Sequence, residues 1–336
     1  MSARRARAAR GVLATTLAAI AAMGGAAAEQ PSGAALAIRA ARVFTATGLP
    51  PIADGVVIVR AGRIVAVGPR ASVPIPVEAT VVELPNHTVL PGLIDTHSHF
   101  LNRYAAGGVL GLEAQRAAPP NVQMVSVVRN ARVQFLSGVT TVRQTGEPNY
   151  NDILMRDAIA AGTLVGPRVV ASGPLITSTG GHGAGEHGLD GEDAFRRAVR
   201  ERVKRGAEWI KLTQLDVSPD AAQISPTEIR AAIDEAHRLG VKVTVHATGR
   251  WGSAIRTAVE AGADNIEHAR PLTPALLALM LKRGTTASLT PIVYIGWRPT
   301  PRTWQVMDAG VSNAEEWINY MAKEIADYRA AHPANE

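Results

Sequence analysis

Val89-Leu90-Pro91-Gly92-Leu93-Ile94-Asp95-Thr96-His97-Ser98-His99 decides how the rest of the chain is read. A turn signal, Pro91-Gly92, is followed by a short apolar run that ends in two histidines one residue apart. Side chains at i and i+2 of a strand share a face, so both imidazoles can point at one ion. Two surface histidines at a strand end would give the same text, and the pair alone does not separate the two readings.

Downstream of Pro91-Gly92 the pattern repeats as strand, loop, helix. Apolar strand-like runs end near His97, Arg143, Ser172, Thr213, His246, His268 and Thr290. The clearest intervening helix opens with Ser225-Pro226-Thr227-Glu228 and places Ile229, Ile233, Ala236 and Leu239 at helical spacing before Gly240. Ser225 reads as N-cap, Pro226 as N1, Glu228 as the closing residue of a capping box and Gly240 as the stop. Strands alternating with helices predict a parallel sheet, and seven such units predict an α/β fold of the (β/α)8 TIM-barrel type with seven of its strands present.

Upstream, Leu36–Ile38, Val43–Ala46, Gly55–Arg60, Arg63–Val67 and Thr80–Leu84 are short apolar or β-branched runs separated by turn residues. They predict a small flanking β-sandwich over residues 29–87, leaving 88–336 for the barrel. Val56–Val59 and the run after Ala61-Gly62 form a predicted hairpin, with Gly62 free to take a positive φ.

The composition narrows the function. The chain has 336 residues, 46% of them hydrophobic and 19% charged, which suits about two folded domains rather than a disordered tail. Its net charge of +6 suggests a nucleic-acid binder only until the charges are located. Arg4, Arg5, Arg7 and Arg10 precede any acid, the first being Glu29, so loss of residues 1–28 lowers the charge from +6 to +2. An Arg-rich start, an apolar stretch from Gly11 to Met23 and the small residues Gly24–Ala28 make 1–28 an expected secretory signal. It directs the protein to the periplasm or outside the cell, and no membrane association is expected after cleavage. With no cysteine, any metal must be held by His, carboxylate or a modified lysine.

Five nitrogen donors fall at or near the C-terminal ends of these strands: His97, His99, Lys211, His246 and His268. Alone, each has an ordinary explanation, a packing histidine or a lysine reaching solvent. Together they mark the barrel face on which catalytic groups gather. His182 lies in a glycine-rich loop, Thr179–Gly188, read either as part of a substrate pocket or as a solvent loop. His87, in an expected turn, His187, His237 on a helix and His332 are assigned no role.

These segments, with Gly138–Arg143, Arg156–Gly162, Gly166–Arg168 and Gly206–Lys211, resemble the amidohydrolase superfamily over residues 36–330, most closely its imidazolonepropionase-like and prolidase-type branch. The resemblance implies a metal-dependent hydrolase that cleaves a non-aromatic carbon–nitrogen bond, in a dipeptide, amide or cyclic amide, by a metal-bridging hydroxide. It implies two divalent ions, zinc by expectation. His97 and His99 would bind one ion, His246 and His268 the other, and Lys211, carboxylated on its amine, would bridge them as the catalytic lysine; His182 would contact substrate. It also calls for an aspartate after an eighth strand. Asp308, after Thr303–Met307, is the one candidate, and three prolines in the 12 residues before Thr303 argue against a crossover helix there. The expectation is therefore a C-terminally truncated barrel, whose alternative function is a catalytically inactive metal-binding fragment. Oligomeric state stays open, a homo-oligomer included.

Overall fold

The computed structural model describes residues 34–101, 115–184 and 187–290. The leader, Asp308 and His332 lie outside these residues. The chain divides into two compact units after Pro91.

The first unit is one four-stranded sheet. Strands β1 (Ala35–Val43), β2 (Ile52–Arg60), β3 (Arg63–Pro69) and β4 (Thr80–Val89) lie in the order β3-β2-β1-β4. The β1–β4 pair is parallel and the other two are antiparallel. The β2–β3 hairpin turns through Ala61 and Gly62, both at positive φ, in register Arg60↔Arg63. Two positive φ values are what a two-residue turn needs to match the strand twist. Apolar residues cluster on each face, Ala37, Val56 and Ile58 on one, Ala40, Val43 and Val57 on the other. Among the described residues this unit therefore supplies a single layer of the expected sandwich. The separate strand expected at Val43–Ala46 ends instead at Val43, with Ala46 at φ 56°, and His87 lies inside β4 rather than in a turn.

The second unit alternates strands and helices. Its elements are β5 (Leu93–Ser98), α1 (Pro120–Leu136), β6 (Val139–Gln144), α2 (Asn151–Ala160), β7 (Arg168–Val170), α3 (Glu192–Lys204), β8 (Trp209–Ser218), the short β9 (Ala221–Ala222), α4 (Pro226–Arg238), β10 (Lys242–Thr248), α5 (Ser253–Ala261), β11 (Asn265–Arg270), α6 (Pro274–Arg283) and β12 (Thr286–Ser288). Apart from the antiparallel β8–β9 pair, every pairing is parallel. The strands form the runs β5-β6-β7 and β12-β11-β10-β8-β9. Just past β7, Ala171 and Ile176 bond to Glu208, Lys211 and Thr213, which joins the two runs. Seven parallel staves result among the described residues, close to the positions read from sequence, except that β8 runs past Thr213 to Ser218. Side chains from β5 and β6 meet those of β11 and β12: His97 reaches Glu267, and Arg143 reaches Glu267 and Ser288. The array is therefore curled round a common interior, the geometry of a TIM-type barrel.

Helix α4 shows how the sequence specifies these units. The Ser225 side chain accepts from Glu228 N, Glu228 accepts from Ser225 N, and Pro226 occupies the first turn. Ile229, Ala232, Ile233 and Ala236 are fully buried in the main core with Ile210, Leu212, Val243 and Val245 of the sheet. Gly240, at φ 76°, ends it. No helix among the described residues is long and apolar enough to cross a membrane.

Candidate functional site

The ring of residues at the C-terminal ends of the staves follows from strand alternation, with one informative exception. Register pairs Lys211 with Thr244 and His246 with Thr213 on neighbouring strands, so Lys211 and His246 rise from adjacent staves. On β11, alternation should allow only one of Glu267 and His268 to face the interior. Both do: Glu267 bonds to His97, and the His268 ring lies against His97 and His246. The backbone explains it. His268 and Ala269 have φ 69° and 47°, a left-handed conformation that breaks the alternation, and the β10–β11 register slips at the same place. Such conformations cost about 1–3 kcal/mol each for residues other than glycine and persist where the surroundings enforce them.

Four of the predicted metal ligands form a contiguous chain of imidazoles with His182. Ring centroids are 5.1 Å apart for His99–His97, 4.6 Å for His97–His268, 4.4 Å for His268–His246 and 4.5 Å for His246–His182. Each candidate ligand histidine has a protein partner at a ring nitrogen: His97 Nδ1 with Glu267 at 2.7 Å, His99 Nδ1 with Gly146 O and Nε2 with Thr145 Oγ1, both at 3.3 Å, His246 Nε2 with Thr248 Oγ1 at 3.0 Å, and His268 Nδ1 with Thr290 Oγ1. The carboxylate and the carbonyl can only accept, so they favour the Nδ1–H form of His97 and His99, whereas the threonine hydroxyls orient their rings without selecting a tautomer. His182 stands at the mouth, its carbonyl accepting from Thr213 Oγ1 at 2.6 Å and its amide donating to Gln223 Oε1 at 3.1 Å.

Lys211 lies among these rings. It is 1% exposed, and its Nζ has no hydrogen-bond partner among the described residues. Burial brings its ammonium down from 10.5 to about 8, against the attraction of Glu267 and with a further push from Arg143. A buried, unpaired amine costs stability, so its presence asks for a reason. Burial likewise holds His97, His99 and His246 below the ordinary histidine value and His268 at about 3, with Lys211 repelling the protonated form of each. Neutral imidazole is the form that ligates metal. The His97–Glu267 contact is accordingly a hydrogen bond from a neutral ring to a carboxylate. Burial would raise the carboxyl of Glu267, but the bond from His97 and the charges of Lys211 and Arg143 hold it at about 2.

The residues fit a metal. No three His, Asp or Glu side chains among the described residues form an ion cage unaided. The four imidazoles are neutral nitrogen donors, and Lys211 would add oxygen donors only as a carbamate: a neutral amine adds to carbon dioxide, releasing one proton and leaving two anionic oxygens.

Gln144 and the His182 loop add to the site's surroundings. Gln144, fully buried, accepts from Phe100 N at 3.0 Å through Oε1, while its Nε2 has no partner among the described residues. The glycines of the His182 loop serve the loop's own packing: a Cβ on Gly188 would sit 2.3 Å from Thr179 Cα, and one on Gly181 2.1 Å from Thr177 Oγ1. Sequence reasoning also passed over Glu267, because it placed His268 inward and period-2 alternation then turns its neighbour out. His237 is held at the surface by Asp264 at 2.8 Å, remote in role from the ring.

Comparison with known proteins follows this geometry. The chain is 27% identical over 277 residues to an ochratoxinase from Aspergillus niger, an alignment covering 70% of this chain and 52% of that protein. It is 28% identical over 280 residues to an imidazolonepropionase from Caulobacter vibrioides, covering 75% and 69%. Among solved structures it is similar to a Xaa-Pro dipeptidase with methionine in its active site, with a TM-score of 0.68, 28% identity, and coverage of 83% of this chain and 70% of that one. The chain thus spans about half the length of the ochratoxinase. Residues 88–332 match the family model described as the amidohydrolase family, whose members generally bind divalent metals, and the chain belongs to that family.

Proposed function

We propose that the protein is a metal-dependent hydrolase of carbon–nitrogen bonds, acting on a small amide. The observation that carries this reading is the amine of Lys211, buried without a hydrogen-bond partner among the described residues, inside a ring of neutral imidazoles. In the proposed centre His97, His99, His246, His268 and carboxylated Lys211 would together hold the divalent ions. Bound there, a pair of divalent ions would supply Lewis acidity, lowering the pKa of water and polarising a carbonyl. The chain's own part is to keep the imidazoles neutral by burial, to orient them through Glu267, Gly146, Thr248 and Thr290, and to present His182 at the mouth as a donor to substrate. His and carbamate donors suit zinc, with manganese and cobalt as alternatives.

A dipeptide is the favoured substrate. The structural likeness to a Xaa-Pro dipeptidase supports it, and so does the leader-like composition of residues 1–28, which suits an exported enzyme meeting external peptides. The test is a panel of Xaa-Pro and other dipeptides, cyclic amides and an aryl amide, assayed with zinc, manganese or cobalt and bicarbonate. Metal-dependent hydrolysis of an amide, abolished by chelation and by Lys211→Met, is expected. Metal-loaded protein that turns over no amide would refute the reading.

A further inference from the structure

The carboxylate of Glu267 is one of the most heavily bonded groups inside the barrel. It is fully buried and receives four donors: His97 Nδ1 at 2.7 Å on Oε2, and Arg143 at 2.6 Å, Asn265 Nδ2 at 3.0 Å and the Thr244 hydroxyl on Oε1. Arg143 is itself fixed. Its Nε donates to Thr96 O at 2.8 Å, the Nη2 that bonds Glu267 also donates to Ser288 Oγ at 3.1 Å, and its guanidinium lies 4.6 Å over the Trp209 ring. The network ties β5, β6, β8, β10, β11 and β12 together beneath the imidazole ring. An apolar filling of similar volume is often no less stable than a buried ion pair, because both charges must be taken out of water. The arrangement calls for a role beyond packing.

We propose that Glu267, braced by Arg143, is the positioning residue that holds His97 in its Nδ1–H tautomer, leaving Nε2 as the ring's only lone-pair nitrogen. The inference rests on the metal-centre reading above and extends it to a residue outside the ligand set. An acceptor-only side chain is required because all four partners donate. A glutamine in its place has one oxygen and one NH2. Three donors converge on the Oε1 position and one on Oε2, so the glutamine oxygen takes the former and its NH2 faces His97 Nδ1. His97 must then accept through Nδ1 and carry its proton on Nε2, which removes the lone pair a metal needs.

The test compares the full chain with Glu267→Gln and with the double variant Arg143→Met/Glu267→Met, which removes both buried charges together and so leaves neither one stranded. Two-bond proton–nitrogen correlation spectra of 15N-histidine-labelled, metal-free protein read the tautomer of His97, whose signals are identified by their loss in His97→Gln. Zinc affinity is measured in parallel by competition with a chromophoric chelator. The Nδ1–H form is expected in the parent chain, the Nε2–H form in Glu267→Gln and a mixture in the double variant, with zinc affinity falling about 10–100-fold in both. A folded variant that keeps the Nδ1–H tautomer and the parent's zinc affinity overturns the proposal. If the parent chain takes up no zinc, the metal-centre reading fails on its own; the tautomer then decides, its inversion in Glu267→Gln upholding the role of Glu267 and its persistence ending it.

Discussion

At the scale of single residues, Lys211 is where stability and chemistry pull apart. An amine that is 1% exposed, with no hydrogen-bond partner among the described residues, forfeits its hydrogen bonds to water on folding. Replacing it by methionine, similar in length and content to be buried, should stabilise the metal-free protein by about 1–3 kcal/mol. The pH dependence has a definite sign. The folded amine titrates near 8 and the unfolded one near 10.5, so between these values the unfolded chain binds more protons and stability rises with pH. The penalty is fully present below 8 and gone above 10.5. Denaturant melts of the metal-free chain from pH 7 to 11 should show this rise, and Lys211→Met should lack it. Equal slopes in the two proteins would mean that the amine is solvated after all.

At the scale of elements, the loop Thr177–Leu189 and strand β11 show how much of the site is carried by backbone. The loop's ends are tied by Leu189 N to Thr177 O at 2.9 Å, and Gly188 packs directly on the Thr179 backbone, which cannot rotate away as a side chain could. Gly188→Ala should therefore cost about 1–3 kcal/mol as an overpacking change. Hydrogen exchange should locate the damage, with the Leu189 amide exchanging faster while Leu212 in β8 keeps its protection. Unchanged exchange at Leu189 would show that the loop absorbs the methyl group freely. Both elements also mark how far the sequence could be read. The glycines announced a close approach but not its partner, since Thr179 is near Gly188 only once the loop has folded back. In β11, Asn265-Ile266-Glu267-His268 looks like any alternating strand. The left-handed turn at His268 and Ala269 is imposed by tertiary contacts, so no local pattern shows that Glu267 and His268 both face inward.

At the scale of the whole molecule, the legible part was the part governed by period and punctuation. Seven stave ends were placed from apolar runs and turn residues, and α4 from its capping box, because these signals are local and each helix or strand carries its own. The convergence of His97, His99, His246 and His268 was also legible, since a barrel brings its strand ends to one face whatever the loops do. What could not be read was the interior network across β5, β6, β11 and β12, which joins residues 124 to 170 positions apart. We propose that this architecture gathers four imidazoles and a modified lysine around divalent ions. Crystals of the full chain grown with zinc and bicarbonate, with anomalous diffraction recorded at the zinc edge, would locate those ions. Two anomalous peaks are expected inside the ring, flanked by His97 and His99 on one side and His246 and His268 on the other, with added density on Lys211 Nζ reaching both. A well-ordered ring with no anomalous peak, or zinc bound only elsewhere on the protein, would contradict it.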